Sequence, residues 1–378
     1  MTPKLDGSNK KLFGTVVPEM DPETGEAVEA TPPNDYEAED VVGDANLLDA
    51  VGAGIGKAEM YKVMLAVRLL GEDPEIKVAT VRFFGKFLTL GSDYYVFETT
   101  LKEPAAAEEE AAEGVVPSEV GSGTNGYTYF VCTTLGGAFT PLPNVTPAQI
   151  VASRAIRKYL SGDLGAEVST FPTFPGKEAE YLRAVVARIA ASTVLCPTGY
   201  FTLGEEGGSL EKAEDFAPAA EPEVASWCHR YPGIRRQGRC ELFVKPPPEG
   251  EEEAPEEDPD QAIVDEGAEA LLTTVDADAE VEGGAAWSLI TSSCIPGVKY
   301  KIAAVRSNLW RGAVSVASGT SFTNIYVGNG FPATKFVIPP PPAVSPEFDV
   351  SAMAESTDLP PKPEPEAPAE EGEGEAAE

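Results

Sequence analysis

Long stretches of this sequence are written almost entirely in glutamate, alanine, proline and glycine, and no hydrophobic core can run through them. Residues 103–123, 204–224 and 247–284 read as acidic loops and 336–378 as a Pro/Glu tail, while residues 1–40 form an extended acidic arm. Such segments carry too little apolar surface to offset the entropy lost on ordering, so they are expected to stay solvated and disordered. Yet 42% of the 378 residues are hydrophobic against a formal charge of -34. Core and charge must therefore occupy different blocks.

The intervening blocks predict an α+β chain: short helices and antiparallel β-sheets interrupted by the acidic loops. In 41–102, Leu47, Leu48 and Val51 form one short apolar stripe, and Met60, Val63, Met64, Val67 and Leu70 recur at helical spacing after a glycine turn. Residues 77–90 and 93–101 read as a β-hairpin, apolar enough to be buried on both faces. In 124–203, residues 127–133 read as a strand. Thr146 and Pro147 open a helix expected to turn Ile150, Val151, Ile156 and Leu160 inward and to end at Gly162. Residues 178–193 are ambiguous: Leu182, Val185, Val186 and Ile189 fit a helix, while 184–189 could also begin a buried strand, and helix first, then extended chain, is the favoured reading. Residues 225–246 hold the one notable cationic cluster, Arg230, Arg235, Arg236 and Arg239. A β-meander is expected over 285–335, with strands at 298–306, 313–317 and 321–327.

Catalytic and ligand-binding patterns are weak throughout. The single histidine, His229, excludes any mechanism that needs two. With Cys228 and Cys240 it offers three zinc donors but no fourth at finger spacing, so a structural histidine is the favoured reading. The run Gly52 to Lys57 resembles a phosphate loop, but Val51 stands where a glycine is needed and Ala58 where Ser or Thr is needed; a helix-breaking turn fits better. Gly121-Ser122-Gly123 has no base near it in sequence. Asp276 and Asp278 read as a solvated charge run. No catalytic, cofactor-binding or metal-ligating residue is assigned, and no cofactor is expected.

The five cysteines, Cys132, Cys196, Cys228, Cys240 and Cys294, follow no paired spacing and are expected to be reduced thiols. Residues 1–11 lack the apolar segment of a secretory signal, and no stretch approaches the ~20 apolar residues that span a bilayer. Excess negative charge disfavours nucleic acid and anionic membrane as partners. The arginine cluster is read as an internal or interfacial ion-pair partner rather than a nucleic-acid patch. Two function classes fit this composition: a structural docking subunit, or an acidic adaptor or chaperone for basic proteins.

A set of short strings decides between them. They are the turn Gly52 to Lys57 with Glu59 and Tyr61; Arg82-Phe83-Phe84-Gly85-Lys86; Tyr129-Phe130-Val131-Cys132; Thr146-Pro147-Ala148-Gln149-Ile150-Val151 with Arg154, Ile156 and Lys158; Phe174-Pro175-Gly176; Tyr181-Leu182-Arg183-Ala184 with Ala187-Arg188-Ile189; Gln237-Gly238-Arg239-Cys240; and Arg306-Ser307-Asn308-Leu309-Trp310. In this order they resemble the radial spoke head protein 4 and 6 family of motile cilia and flagella. Phe84 and Asn329 stand where that family tends to have tryptophan, and Arg311 where it tends to have proline.

The resemblance implies a non-enzymatic scaffold in the radial spoke head of the ciliary axoneme, a cytoskeletal location within the cytoplasm. Implied partners are other head and neck subunits, a second copy or close relative in a homodimer or heterodimer, and transient contact with central-pair projections. It also implies a part in relaying mechanical signals between the central pair and the dynein arms.

Overall fold

The computed structural model describes residues 36–103, 115–204, 210–219, 221–244, 262–264, 266–291 and 302–334. Their elements run β1 (Glu37–Ala38), α1 (Val41–Ala50), α2 (Lys57–Gly71), β2 (Val78–Phe87), β3 (Tyr94–Leu101), β4 (Thr128–Cys132), β5 (Thr140–Pro141), α3 (Pro147–Ala155), α4 (Glu178–Thr193), β6 (Leu195–Pro197), β7 (Phe201–Leu203), β8 (Leu210–Lys212), β9 (Trp227–His229), β10 (Trp287–Thr291), β11 (Ala303–Ser307), β12 (Ala313–Ser318) and β13 (Ser321–Gly328). This is an α+β fold.

One mixed nine-stranded sheet organises it, in the order β10-β11-β12-β13-β2-β3-β4-β5, with β1 also parallel to β2. Because alternate residues of a strand face opposite sides, β2, β3 and β4 supply two cores. Phe83, Phe97 and Phe130, consecutive register partners, face the side covered by α1 and α2, where they meet Leu48, Val63, Val67 and Leu70. Val96, Tyr129 and Val131 face the other side, against Tyr181, Leu182, Val185 and Ile189 of α4. Helix α4 is buried around its whole circumference from Tyr181 to Thr193. Its alanines permit this: Ala184, Ala187 and Ala191 let α3 and the chain around Ile234 pack closely on its outer face.

The join between the two halves of the sheet is a parallel seam in which Tyr326 pairs with Gly85. A Cβ built on Gly85 would lie 2.0 Å from the Tyr326 carbonyl oxygen, so no larger residue fits without moving the backbone.

Several expectations need correction. Residues 178–193 do not pass into extended chain: α4 is helical to Thr193, and only from Val194 is the backbone extended. Helix α3 stops at Ala155, where Ile156 turns extended (φ -122°, ψ 153°), rather than at Gly162. Its inward positions are Pro147, Ile150 and Ser153, one turn apart, which leaves Val151 outside at 45% exposure. Ile156 and Leu160 still reach the core, but from extended chain. The meander gains a strand, β10, ahead of β11; the expected strand start at 298–301 lies outside the described residues.

The acidic loops are not uniformly free either. Residues 104–114 and 247–261 lie outside the described residues, as do the arm to residue 35 and the tail from 335. Residues 115–123 are described, with Glu119 buried among them. In 204–224, β8 pairs with β7 and the Phe216 ring lies 5.0 Å from Tyr200. In 247–284, Ile263 bridges to Arg235, and Glu266, Ala268 and Val275 are buried. The reason is chemical: several of their carboxylates answer buried cations and amides.

Gly85→Ala should destabilise the protein by about 3 kcal/mol, because the clash is with backbone rather than a movable side chain. Chemical denaturation of the variant beside wild type measures this; equal midpoints would refute the role of the seam.

Candidate functional site

Charge is buried at three places, each joining segments far apart in sequence. At the centre of the sheet Arg82 and Glu98 are direct register partners on β2 and β3. Arg82 donates through Nε and Nη2 to the two carboxylate oxygens at 3.0 and 2.9 Å. The Tyr129 hydroxyl donates to Glu98 Oε2 at 3.1 Å and the Tyr231 hydroxyl to Oε1 at 2.7 Å. Tyr231 stacks on Tyr127 at 5.1 Å. Beside this cluster, Arg183 lies 4.6 Å over the Tyr129 ring and donates to the Thr124 carbonyl and to Asn125 Oδ1. Arg82 and Glu98 fit the rule that a buried charge is tolerated when paired and hydrogen-bonded, whereas Arg183 has no carboxylate partner and its Nη1 is unpartnered.

The second place is Glu266, which accepts from Arg188 Nε at 2.9 Å, from Arg188 Nη2, and from Arg154 Nε at 3.3 Å. Arg154 also donates to the carbonyls of Ile234, Arg235 and Arg236, fixing the turn of the arginine-rich segment. The third is Glu119, whose Oε2 accepts from Thr124 N at 2.8 Å and whose Oε1 accepts from the amides of Cys240 and Glu241 at 3.0 and 2.9 Å.

The arginine cluster thus points largely inward. Arg230 is 2% exposed, Arg235 Nε donates to the Cys240 carbonyl, and Arg239 Nη1 donates to the Pro117 carbonyl; Arg236 remains exposed. Asp278 does not belong to a solvated run: it bonds His229 Nε2 at 2.9 Å and accepts from Trp287 Nε1 at 2.6 Å.

Ser192, His229 and Asp278 line one cleft, but they do not make a catalytic triad. The Ser192 hydroxyl bonds the carbonyls of Arg188 and Glu266, while His229 Nδ1 has no partner, so the link from nucleophile to base is not made. Gly52, Gly54 and Gly56 form a turn between two helices, with Lys57 paired to Asp49 at 3.0 Å. That is not the strand-to-helix context of a phosphate loop. Among the described residues no group of three or more His, Cys, Asp or Glu is placed to hold a metal ion, and no helix is long and apolar enough to cross a membrane.

One surface stands apart from these closed networks. Tyr61, Leu65 and Leu69 are 59%, 42% and 52% exposed, at successive fourth positions of α2. That spacing aligns them in one stripe, opposite the buried face of Met60, Val63, Val67 and Leu70. Salt bridges Asp49–Lys57 and Arg68–Glu72 neutralise charge near its two ends. Sequence reading counted the inward face of this helix and passed over the outward one.

Burial pushes the carboxyls of Glu98 and Glu266 up, but their guanidinium partners outweigh it: Arg82 holds Glu98, and Arg188 with Arg154 holds Glu266, below the usual carboxylate range. A depressed folded-state pKa contributes stability that is present above the unfolded carboxylate value of about 4.3 and is lost as pH falls through the folded value. The thermal midpoint should therefore drop steeply below about pH 4. Glu98→Gln should lose about 3 kcal/mol at neutral pH, by leaving Arg82 buried without its counter-charge, and should show a shallower acid decline. A variant matching wild type at both pH values would refute this account.

A family model described as "Radial spokehead-like protein" matches residues 7–115 and 112–367. The chain is 44% identical over 357 residues to Flagellar radial spoke protein 4 of Chlamydomonas reinhardtii, covering 89% of this chain and 76% of that one. It is 36% identical over 342 residues to Radial spoke head protein 6 homolog A of Mus musculus, covering 75% of this chain and 48% of the relative. Against Radial spoke head protein 4 homolog A of Homo sapiens the identity is 32% over 359 residues, with 82% and 50% covered. The chain thus spans about three quarters of the algal relative and about half of these two mammalian ones. The matches take in the sheet, its helices and the segments clasped to them, and the chain belongs to the radial spokehead-like protein family.

Proposed function

We propose that this chain is a non-catalytic structural subunit of the radial spoke head in the ciliary or flagellar axoneme. It docks through its folded body onto other head and neck subunits, including a second copy or a close relative. Through transient contact with central-pair projections it takes part in the mechanical signalling that controls dynein and motility. The names of its relatives support the assembly, and one structural observation carries the docking role: the apolar stripe of Tyr61, Leu65 and Leu69 on α2.

Three large apolar side chains in a row on an outward helix face favour burial, and an amphipathic partner laid along them would remove them from water. The neighbouring ion pairs keep this strip close to neutral in a chain of formal charge -34, so an acidic partner is not repelled there.

Leu65→Glu/Leu69→Glu, expressed in cells lacking the native chain, should reduce incorporation into axonemal spokes at least tenfold and impair beating. The isolated variant should melt within a few degrees of wild type, because both residues are exposed. Normal incorporation and motility would overturn the docking role of this stripe. Recovery with basic nuclear proteins instead of axonemes would favour the acidic-adaptor reading.

A further inference from the structure

Strands β6 and β9 form a separate two-stranded sheet with three register pairs: Leu195 with His229, Cys196 with Cys228, and Pro197 with Trp227. Directly opposed residues of an antiparallel pair point to the same face. Here that brings two free thiols 32 residues apart in sequence to an Sγ–Sγ separation of 3.4 Å. Rings of Tyr200, Phe201 and Phe322 pack around them. Of the other described cysteines, Cys132 belongs to the core beneath α1 and α2, and the Cys240 thiol points to the Pro232 carbonyl.

The position of the pair gives it leverage. β6 follows directly from the buried helix α4, and β9 leads directly into Arg230 and Tyr231, whose hydroxyl completes the shell of Glu98. The ladder between the strands is only three pairs long, and so short an element opens locally more readily than the main sheet.

We propose that Cys196 and Cys228 are a redox modification site, joined by a reversible intrachain disulfide when the protein meets hydrogen peroxide. This goes beyond the proposed function and does not depend on it. The Cys228 thiolate attacks the peroxide oxygen and the O–O bond breaks, leaving a sulfenic acid on Cys228; the released hydroxide takes up the thiol proton as water. The Cys196 thiolate then attacks the Cys228 sulfur, the S–S bond forms, and the second oxygen leaves as water with the Cys196 proton. Two electrons pass from the sulfurs to the peroxide. Each thiol also faces the other's carbonyl, Cys228 Sγ to Cys196 O at 3.5 Å and Cys196 Sγ to Cys228 O at 3.8 Å, and the contact between the two sulfurs holds Cys228 below its ordinary range while pushing Cys196 up. Cys228 is the attacking thiol and Cys196 the resolving one.

The test uses the full chain, treated with hydrogen peroxide while folded, then denatured, alkylated and analysed by intact and peptide mass. Beside an untreated control alkylated in the same way, wild type should carry two fewer alkyl groups, with the peptides bearing Cys196 and Cys228 joined and both thiols protected from alkylation. Dithiothreitol should reverse this, and oxidation should raise the thermal midpoint by about 5 °C. Cys132→Ser should keep the link. Cys196→Ser should abolish it and leave Cys228 to advance to the sulfinic acid. The proposal is overturned if both thiols remain alkylatable after peroxide, if wild-type Cys228 goes to the sulfinic acid without a link, or if the link joins other cysteines. An unchanged thermal midpoint would overturn the idea that the bond clasps the two segments.

Discussion

Arg82 and Glu98 sit opposite one another in the middle of the sheet, both almost wholly removed from water. The rest of the structure is arranged so that this can be tolerated. A buried ion pair is stable only if its remaining donors and acceptors are satisfied, and Glu98 recruits Tyr129 from the next strand and Tyr231 from a segment 133 residues away. Anchoring Tyr231 positions Arg230, the turn of Ile234 and Arg235, and the outer packing of α4. One ionic row thereby fixes the relation between the sheet and a chain segment with almost no regular structure of its own.

The acidic character of the chain acquires a different meaning in this light. Glu119, Glu266 and Asp278 belong to stretches whose composition suggests solvated linkers, yet each closes a contact with buried amides, arginines or the lone histidine. The connecting segments are partly fasteners, and their charge is matched locally to cations that the core could not otherwise hold. An architecture closed by polar fasteners inside and bearing an apolar stripe outside suits a subunit whose task is to hold position among neighbours. Among the described residues Ser192 is held by backbone carbonyls and Asp278 by His229 and Trp287, so the Ser192, His229 and Asp278 side chains form no relay.

Much was legible in the sequence. The spacing of Met60, Val63, Val67 and Leu70 determined α2 and its buried face, Thr146-Pro147 determined where α3 starts, and the aromatic and β-branched runs determined the central hairpin, because period and capping are local properties. The ordered strings from Arg82-Phe83 to Leu309-Trp310 carried the family. What only tertiary structure decided were the long-range pairings: the seam of Gly85 with Tyr326, the meeting of Arg82, Glu98 and Tyr231, the capture of Glu266 by Arg188, and the opposition of Cys196 and Cys228. Helix α3 ended earlier than its pattern suggested because Ile156 and Leu160 gain their burial from extended chain. Composition records how much charge a segment carries, but whether a glutamate faces water or a buried guanidinium depends on residues brought near by the fold, and no local pattern encodes that.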